Sequence, residues 1–273
     1  MSKWGGFKWF DIEVEEKDKI ATITLNRPDK LNAMHGPMLD EMGEVFAKVG
    51  HDLVDTVNAV ILTGAGRGFS AGGDVKMFDD RASGRDTTRT VPLRTGWAHF
   101  VNLLGMEQPV VTAVNGDAIG LGATIALLGD VVIASDRARF ADMHVRAGLV
   151  AGDGGAVLWP LLMGINRAKE YLMTGDLITA PEAKEMGLVN KVVPHDQLMP
   201  TARAMALRLA NGPKWAIRWT KWSVNKILRE RVNLILDTSL ALEHMSFHTE
   251  DHNEAARAFV EKRAPRYTGK LLG

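Results

Sequence analysis

The sequence has no cysteine, which excludes disulfide bonds, thiol nucleophiles and cysteine-ligated metal sites. Its 33 basic and 33 acidic side chains cancel, so it lacks the basic excess typical of nucleic-acid-binding proteins. It has no apolar run of about eighteen residues, the length a membrane-spanning helix needs. The opening residues, MSKWGGFKWF, have no apolar core, so a secretory signal is not expected. These absences favour a cytoplasmic protein with neither nucleic acid nor membrane as a partner.

Short apolar segments alternate with helical patterns as far as residue 196. This alternation is typical of an α/β fold whose sheet is covered on both faces. A helix is expected after Pro37, and from Gln197 onward the pattern is helical throughout. We therefore divide the chain into a core, residues 1–196, and a helical C-terminal region, residues 197–273. The predicted strands lie within 10–26, 57–64, 109–116, 130–135 and 187–193.

Two segments outside the strands leave alternatives open. The polar, arginine-rich segment 77–96 is either a loop that covers a pocket or a solvated surface loop. Trp215, Trp219 and Trp222 have helical spacing, and we expect them on a face that is buried or turned toward another subunit.

The first glycine-rich segment, TGAGRGFSAGGD (63–74), follows a predicted strand. Its glycines do not have the G-x-G-x-x-G spacing of dinucleotide-binding loops. Residues 68–72 fit the G-x-S-x-G pattern of a serine nucleophile elbow around Ser70, with His244, His248 or His252 as possible partners. An elbow serine leaves its strand directly, however, and here GAGRG intervenes. A serine hydrolase is therefore poorly supported.

The second glycine-rich segment is NGDAIGLGATIALLGD (115–130). A strand ends at Val114 and a helix is expected to begin near Gly122. Unpaired N–H groups at such a helix start, together with the helix dipole, form an anion site that needs no charged side chain. The alternative is a glycine turn that only allows the helix to pack closely on the strand.

The third segment, HVRAGLVAGDGG (144–155), sets His144 and Asp153 nine residues apart. Each has an ordinary structural interpretation. His144 could be bonded to the backbone, and Asp153 could be the N-cap of the helix that follows. The alternative is that the two side chains act together in proton transfer.

Together these segments resemble the crotonase family, the enoyl-CoA hydratase/isomerase superfamily. The resemblance implies a spiral of ββα units followed by a helical trimerisation region, assembled as a homotrimer or as a hexamer of two trimers. It also implies an acyl-CoA thioester substrate and a place in fatty acid metabolism. The matching segments, in the family's order and spacing, are ITLNRPDKLNAM (23–34), ILTGAGRGFSAGGDVKMF (61–78), PVVTAVNGDAIGLGATIALLGDVVIAS (109–135), YLMTGDLITAPEAKEMGLVNKVV (171–193) and FVEKRAPRYTGK (259–270).

The resemblance also implies roles for individual residues. The backbone N–H groups of Ala71 and Leu121 would form an oxyanion hole that stabilises the enolate of a CoA thioester. No metal is implied, and no cofactor apart from the coenzyme A of the substrate. The path of coenzyme A would be lined by Lys30, Leu31, Ala33, Ala71, Gly72, Gly73 and Asp74.

The chain departs from the family pattern where the hydratases carry two catalytic glutamates. Thr124 stands at the first of these positions and His144 at the second. The interval between His144 and Asp153 is similar to that of a subset that cleaves carbon–carbon bonds in cyclic 1,3-diketones. That subset has a further histidine in the oxyanion turn, where this chain has Leu121.

We therefore expect enoyl-CoA hydratase or isomerase chemistry, with a His/Asp pair in place of the two glutamates. An aspartate that binds one imidazole nitrogen fixes the tautomer of the ring, and imidazole titrates near neutral pH. Either His144 or Asp153 could be the direct base. Two alternatives stay open: a retro-Claisen hydrolase of 1,3-diketones, and a CoA-binding homologue with little catalytic activity.

Overall fold

The computed structural model describes residues 2–74 and 93–271. Within them lie ten strands and nine α-helices. The strands are β1 (Ser2–Lys3), β2 (Phe10–Glu15), β3 (Ile20–Leu25), β4 (Ala59–Gly64), β5 (Val110–Val114), β6 (Ala118–Ile119), β7 (Val131–Ser135), β8 (Arg139–Ala141), β9 (Ile178–Thr179) and β10 (Lys191–Val193). The helices are α1 (Gly36–Asp52), α2 (Leu93–Gly105), α3 (Leu121–Leu127), α4 (Gly155–Met163), α5 (Ile165–Thr174), α6 (Ala180–Met186), α7 (Leu198–Ala210), α8 (Lys214–Ser246) and α9 (Glu250–Val260).

A seven-stranded sheet forms the centre of the fold, in the order β1-β2-β3-β4-β5-β7-β10. From β3 to β10 all pairings are parallel, whereas β1, β2 and β3 pair in antiparallel fashion. Every residue of β4 and β5 is buried, as expected for strands covered on both faces. A smaller sheet, β6-β8-β9, stands beside it. The predicted α/β class and the predicted strands are confirmed.

Helices cover both faces of the large sheet. On one face, α1 contributes Met38, Met42 and Phe46 to the main core. On the other face, α7 contributes Leu198 and a stripe of alanines at 202, 206 and 210. After the predicted boundary at 196/197 the described elements are all helices. The first of them, α7, packs on the sheet and so belongs to the core. The boundary therefore stays a prediction as a division between core and oligomerisation region.

The loops at the carboxyl ends of the parallel strands are held together by hydrogen bonds and a close backbone contact. The Asn115 side-chain amide donates hydrogen bonds to the carbonyl oxygens of Gly66, at 2.9 Å, and Gly68, at 3.2 Å. A β-carbon at Gly116 would lie 2.1 Å from the carbonyl oxygen of Arg67, so only glycine allows this approach. The loops border a cavity of about 490 Å³.

The long helix α8 exposes apolar side chains. Trp215, Trp219 and Trp222 are 52%, 64% and 43% exposed, so within this chain their face is not buried. The alternative, a face turned toward another subunit, stays a prediction. Among the described residues, no helix has both the length and the apolar character required to cross a membrane.

Replacing Gly116 with alanine tests the close contact between these two loops. We expect Gly116→Ala to lower the free energy of unfolding by about 1–3 kcal/mol, because the added methyl group overlaps the Arg67 carbonyl. Gly36→Ala is the control, since a β-carbon there has no neighbour within 4 Å. Urea denaturation of both variants measures the difference. Equal stability of the two variants would contradict the close approach.

Candidate active site

The imidazole of His144 lies between two carboxylates. His144 begins a short 3₁₀ turn, His144–Ala147, shortly after β8. Its Nδ1 lies 2.5 Å from Oδ1 of Asp142, and its Nε2 lies 3.2 Å from Oδ2 of Asp153. The His144 backbone N–H also points to Asp142 Oδ1, at 3.3 Å. The ring is therefore bonded to carboxylates, and the interpretation of His144 as a backbone-bonded histidine is wrong.

Asp153 is not a helix cap. The N-cap of α4 is Gly154, and no side chain caps that helix. Instead, the Thr124 hydroxyl donates to Oδ1 of Asp153 at 3.3 Å, while Oδ2 faces His144. The two oxygens of Asp153 thus have different partners, which fixes the orientation of its carboxylate between α3 and the His144 turn.

The charges in this cluster shift two pKa values in opposite directions. Burial by itself would lower the pKa of His144, but the negative charges of Asp153 and Asp142 raise that pKa well above the ordinary histidine value. Burial raises the pKa of Asp153, but the charge of His144 and its hydrogen bond outweigh burial and bring it below its ordinary value. The charge of the buried His99, on α2, lowers it further. Both shifts favour the charged pair.

A third carboxylate reaches the cluster from α8. Oε1 of Glu243 lies 3.9 Å from Nε2 of His144, and the Glu243 side chain is 15% exposed. Gly152 makes this approach possible. A β-carbon at Gly152 would lie 2.5 Å from both the Glu243 side chain and the Ser239 carbonyl oxygen.

Two glycine turns meet beside His144. A β-carbon at Gly72 would lie 2.5 Å from the carbonyl oxygen of Ile119, and Gly72 has a positive φ of 81°. Gly120, with a φ of 53°, has the His144 ring 3.4 Å from the position of its missing β-carbon. The turn that contains Gly72 thus packs against the turn that contains Gly120. The His144 ring in turn packs against Gly120.

The backbone N–H groups of these turns differ in availability. The N–H of Ala71 donates to the Leu31 carbonyl at 2.9 Å, and the N–H of Gly72 is oriented to the Ser70 hydroxyl at 3.2 Å. Within the described part of the chain, the Gly73 N–H has no acceptor. Leu121 is the first residue of α3, where an N–H group has no partner inside the helix. The assignment of Ala71 as an oxyanion donor is therefore corrected, since its N–H is already used.

Ser70 does not have the surroundings of a nucleophile. Its side chain is completely buried, and its hydroxyl donates to the Asn32 carbonyl at 2.9 Å. This position holds the loop after β3 against the Gly72 turn, and it agrees with the poor support for a serine hydrolase.

The residues predicted to line the path of coenzyme A lie on two adjoining loops. Leu31 and Ala71 border the cavity of about 490 Å³, with Lys30 and Ala33 on the loop of Leu31 and Gly72 and Gly73 on that of Ala71. The Asp74 carboxylate accepts a hydrogen bond from Arg27 at 2.7 Å. Its charge is thus paired within the protein. Of the segment 77–96, residues 77–92 lie outside the described residues, and α2 begins at 93.

The enoyl-CoA hydratase/isomerase family model matches residues 15–270 of the chain. The chain belongs to this family. It is 37% identical over 262 residues to the short-chain-enoyl-CoA hydratase of Clostridium acetobutylicum, covering 93% of this chain and 95% of that protein. It is 35% identical over 252 residues to the 1,2-epoxyphenylacetyl-CoA isomerase of Escherichia coli, covering 92% and 95%.

Solved structures of the family share the fold. An enoyl-CoA hydratase/isomerase from Mycobacterium paratuberculosis superposes with a TM-score of 0.84 at 36% identity, covering 91% of this chain and 97% of that one. The predicted crotonase fold is thus confirmed.

Sequence reasoning found two members of the cluster and missed two. His144 and Asp153 share one glycine-rich loop, and their interval drew attention to them. Asp142 directly follows β8, and its complete burial is the feature that a local pattern does not reveal. Glu243 lies far along the chain on a helix rich in charged side chains, where no spacing distinguishes it.

The geometry of the cluster favours proton transfer over metal binding. Ligand atoms of Asp142, His144 and Asp153 lie within 4.8 Å of one another. The imidazole ring itself occupies the space between the two carboxylates, and each ring nitrogen faces one of them. A metal ion at the centre of the cluster would have to displace the imidazole ring of His144.

Replacing His144 with glutamine tests the buried charge cluster. We expect His144→Gln to lower the free energy of unfolding by about 3–5 kcal/mol near pH 6, because the buried carboxylates lose their cation. The raised pKa makes the contribution of His144 complete below the ordinary histidine pKa and lost as pH rises through the raised value. The deficit should therefore shrink at alkaline pH.

Chemical denaturation over a pH series measures this effect. His51→Gln is the matched control, because His51 pairs with Asp52 on the surface and its side chain is 91% exposed. A deficit no larger than that of the control, or one that grows with pH, would rule out a stabilising imidazolium.

Proposed function

We propose that this protein is an acyl-CoA enzyme of the hydratase/isomerase type that stabilises a thioester enolate, with His144 and Asp153 in place of two catalytic glutamates. One observation carries the proposal: an imidazole held between carboxylates packs against Gly120, and the next residue, Leu121, begins α3 with an N–H that has no partner inside the helix. Both relatives described above are named for CoA compounds, which supports a CoA thioester as the substrate.

We assign the oxyanion hole to the backbone N–H groups of Gly73 and Leu121. The Gly72 turn is packed against Ile119, so these two donors come from neighbouring turns. The N-terminus of α3 adds positive potential at Leu121. One preorganised donor of this kind typically contributes about 3 kcal/mol to transition-state stabilisation.

Thr124 determines which proton transfers are available. Its hydroxyl lies at the position of the first family glutamate and donates to Asp153. A neutral hydroxyl cannot accept a proton as a carboxylate does, so hydration by two glutamates is not expected. The proton-transfer groups of the site are instead His144 and Asp153.

The cavity at the carboxyl ends of the parallel strands suits the nucleotide end of coenzyme A. Besides Leu31 and Ala71, it is bordered by Arg67, Arg137 and Arg139. Arg139 is paired with Asp117. Arginine side chains bind phosphate groups through several N–H donors, which favours a phosphorylated ligand here.

We also propose self-assembly, as a homotrimer or a hexamer of two trimers. Apolar side chains that are exposed on a single chain mark interaction surfaces when they lie together on one element. Helix α8 exposes Trp215, Trp219, Trp222, Val224, Ile227, Leu234, Leu242 and Met245.

A retro-Claisen hydrolase of 1,3-diketones is the second candidate. The contact between His144 and Asp153 favours it, because such a pair can activate water. Leu121 speaks against it, since the diketone-cleaving subset has a histidine at that position. A CoA-binding protein with little catalytic activity is the third candidate.

Binding and turnover distinguish the three candidates. We expect calorimetry to detect binding of coenzyme A, and we expect turnover of a member of a panel of unsaturated acyl-CoA thioesters. Cleavage of cyclic 1,3-diketones without CoA binding would replace this proposal with the hydrolase. CoA binding without turnover of any thioester would favour the weakly catalytic homologue.

Leu121→Pro tests the oxyanion hole. Proline at the first position of a helix is tolerated but lacks the N–H donor, so we expect kcat to fall about 10²- to 10³-fold. Leu121→Ala is the matched control, because it shortens the same side chain and keeps the donor. Equal activity of the two variants would remove Leu121 from the oxyanion hole. Circular dichroism verifies that both variants are folded.

A further inference from the structure

Asp142 is the most enclosed carboxylate of the cluster. Its side chain is only 1% exposed. Its Oδ1 accepts hydrogen bonds from His144 twice, from Nδ1 at 2.5 Å and from the backbone N–H at 3.3 Å. Its Oδ2 lies against Gly155 at the start of α4, where a β-carbon would be only 2.2 Å away. Among the described residues Oδ2 has no hydrogen-bond donor, but the N-terminal end of a helix provides positive potential there.

The partners of His144 determine how many protons its ring carries. An ionised carboxylate can only accept hydrogen bonds, so a ring nitrogen that faces one must carry hydrogen. Nδ1 faces Asp142 and Nε2 faces Asp153, while Asp153 accepts a second hydrogen bond from Thr124. With both carboxylates ionised, the ring is doubly protonated. The raised pKa of His144 agrees with this state.

We propose that Asp142 is a positioning residue that holds His144 as an imidazolium, so that Asp153 is the base and His144 is the acid. The inference rests on the proposed function, because the proton acceptor is the enolate of the acyl thioester. It goes further than that function by assigning acid and base to separate groups and by adding Asp142, which does not contact the substrate.

The proton transfers balance over one isomerisation cycle. Asp153 takes a proton from a substrate carbon, and the electron pair of the broken C–H bond moves toward the thioester oxygen. The Nε2–H bond of His144 then breaks, and its proton joins another carbon of the enolate. The carboxylic acid of Asp153 finally returns a proton to Nε2, 3.2 Å away. Through these steps Asp142 keeps the hydrogen on Nδ1. When His144 has given up its proton, the lone pair of the neutral ring is therefore on Nε2.

Three charged groups of the described part of the chain face the ring. They are Asp142 at the end of β8, Asp153 in the loop before α4 and Glu243 on α8. His99, on α2, acts on Asp153 by its charge. Replacing Asp142 removes the carboxylate that faces Nδ1 and the His144 backbone N–H, and it leaves the partners of Nε2 in place.

Nitrogen NMR of the ¹⁵N-histidine-labelled full chain tests the inference. In the unsubstituted protein we expect the two ring nitrogens of His144 to have imidazolium shifts at neutral pH and to titrate above the ordinary histidine pKa. In Asp142→Asn we expect this titration to move to lower pH. A neutral His144 ring at pH 7 in the unsubstituted protein would overturn the inference, even if Asp142→Asn failed to fold.

Kinetics provide the second readout. Because His144 donates a proton, activity should fall as pH rises through its titration, and Asp142→Asn should move this alkaline limb to lower pH. We expect kcat to fall about 10²-fold or more at neutral pH, with KM little changed. Asp176→Asn is the control, because it removes the ion pair of Arg146 in the same turn without contacting His144. Equal profiles for the two variants would overturn the positioning role.

The two proposals fail in distinguishable ways. An imidazolium ring in a protein that turns over no acyl-CoA thioester would contradict the proposed function and leave the protonation of His144 standing. A neutral ring in a protein that turns over acyl-CoA would contradict only the inference about Asp142.

Discussion

The carbonyl oxygen of Ile119 occupies the space where a side chain at residue 72 would begin. The rest of the site depends on this backbone contact. It sets the first glycine turn against the second, and the second turn lies against the ring of His144 through Gly120. Main-chain packing thereby brings together the groups that we propose as oxyanion donors, acid and base, and the charged side chains complete this arrangement.

The charged side chains of this site must also offset the cost of being buried. A lone buried carboxylate or imidazolium is costly to bury, and either would change its protonation to become neutral. In the charge state that we propose, a cation lies between two anions, so each ion offsets the desolvation of its neighbour. The same arrangement makes the three groups interdependent. A proton that leaves His144 changes how firmly Asp153 holds its own, so the titrations of these two residues belong to the pair rather than to either one.

The sequence predicts more of the fold than of the site. The mostly apolar segments of β4 and β5 identify buried strands, and Pro37 locates a helix start because proline is unfavourable inside a helix. His144 and Asp153 are recognisable because one short loop carries both. Ala71 is misassigned because the direction of an N–H group depends on a contact with Leu31, which no spacing encodes. Asp142 and Glu243 depend on burial and on distant packing.

Gly152 lets helix α8 lie directly on the loop that carries Asp153. Any β-carbon at this position would push against both the Glu243 side chain and the Ser239 carbonyl. A relative with a larger residue here would have to hold the corresponding helix farther away, and its third carboxylate would withdraw from the imidazole. Evolution can therefore alter the number of acidic groups around the ring through a residue that has no functional group of its own.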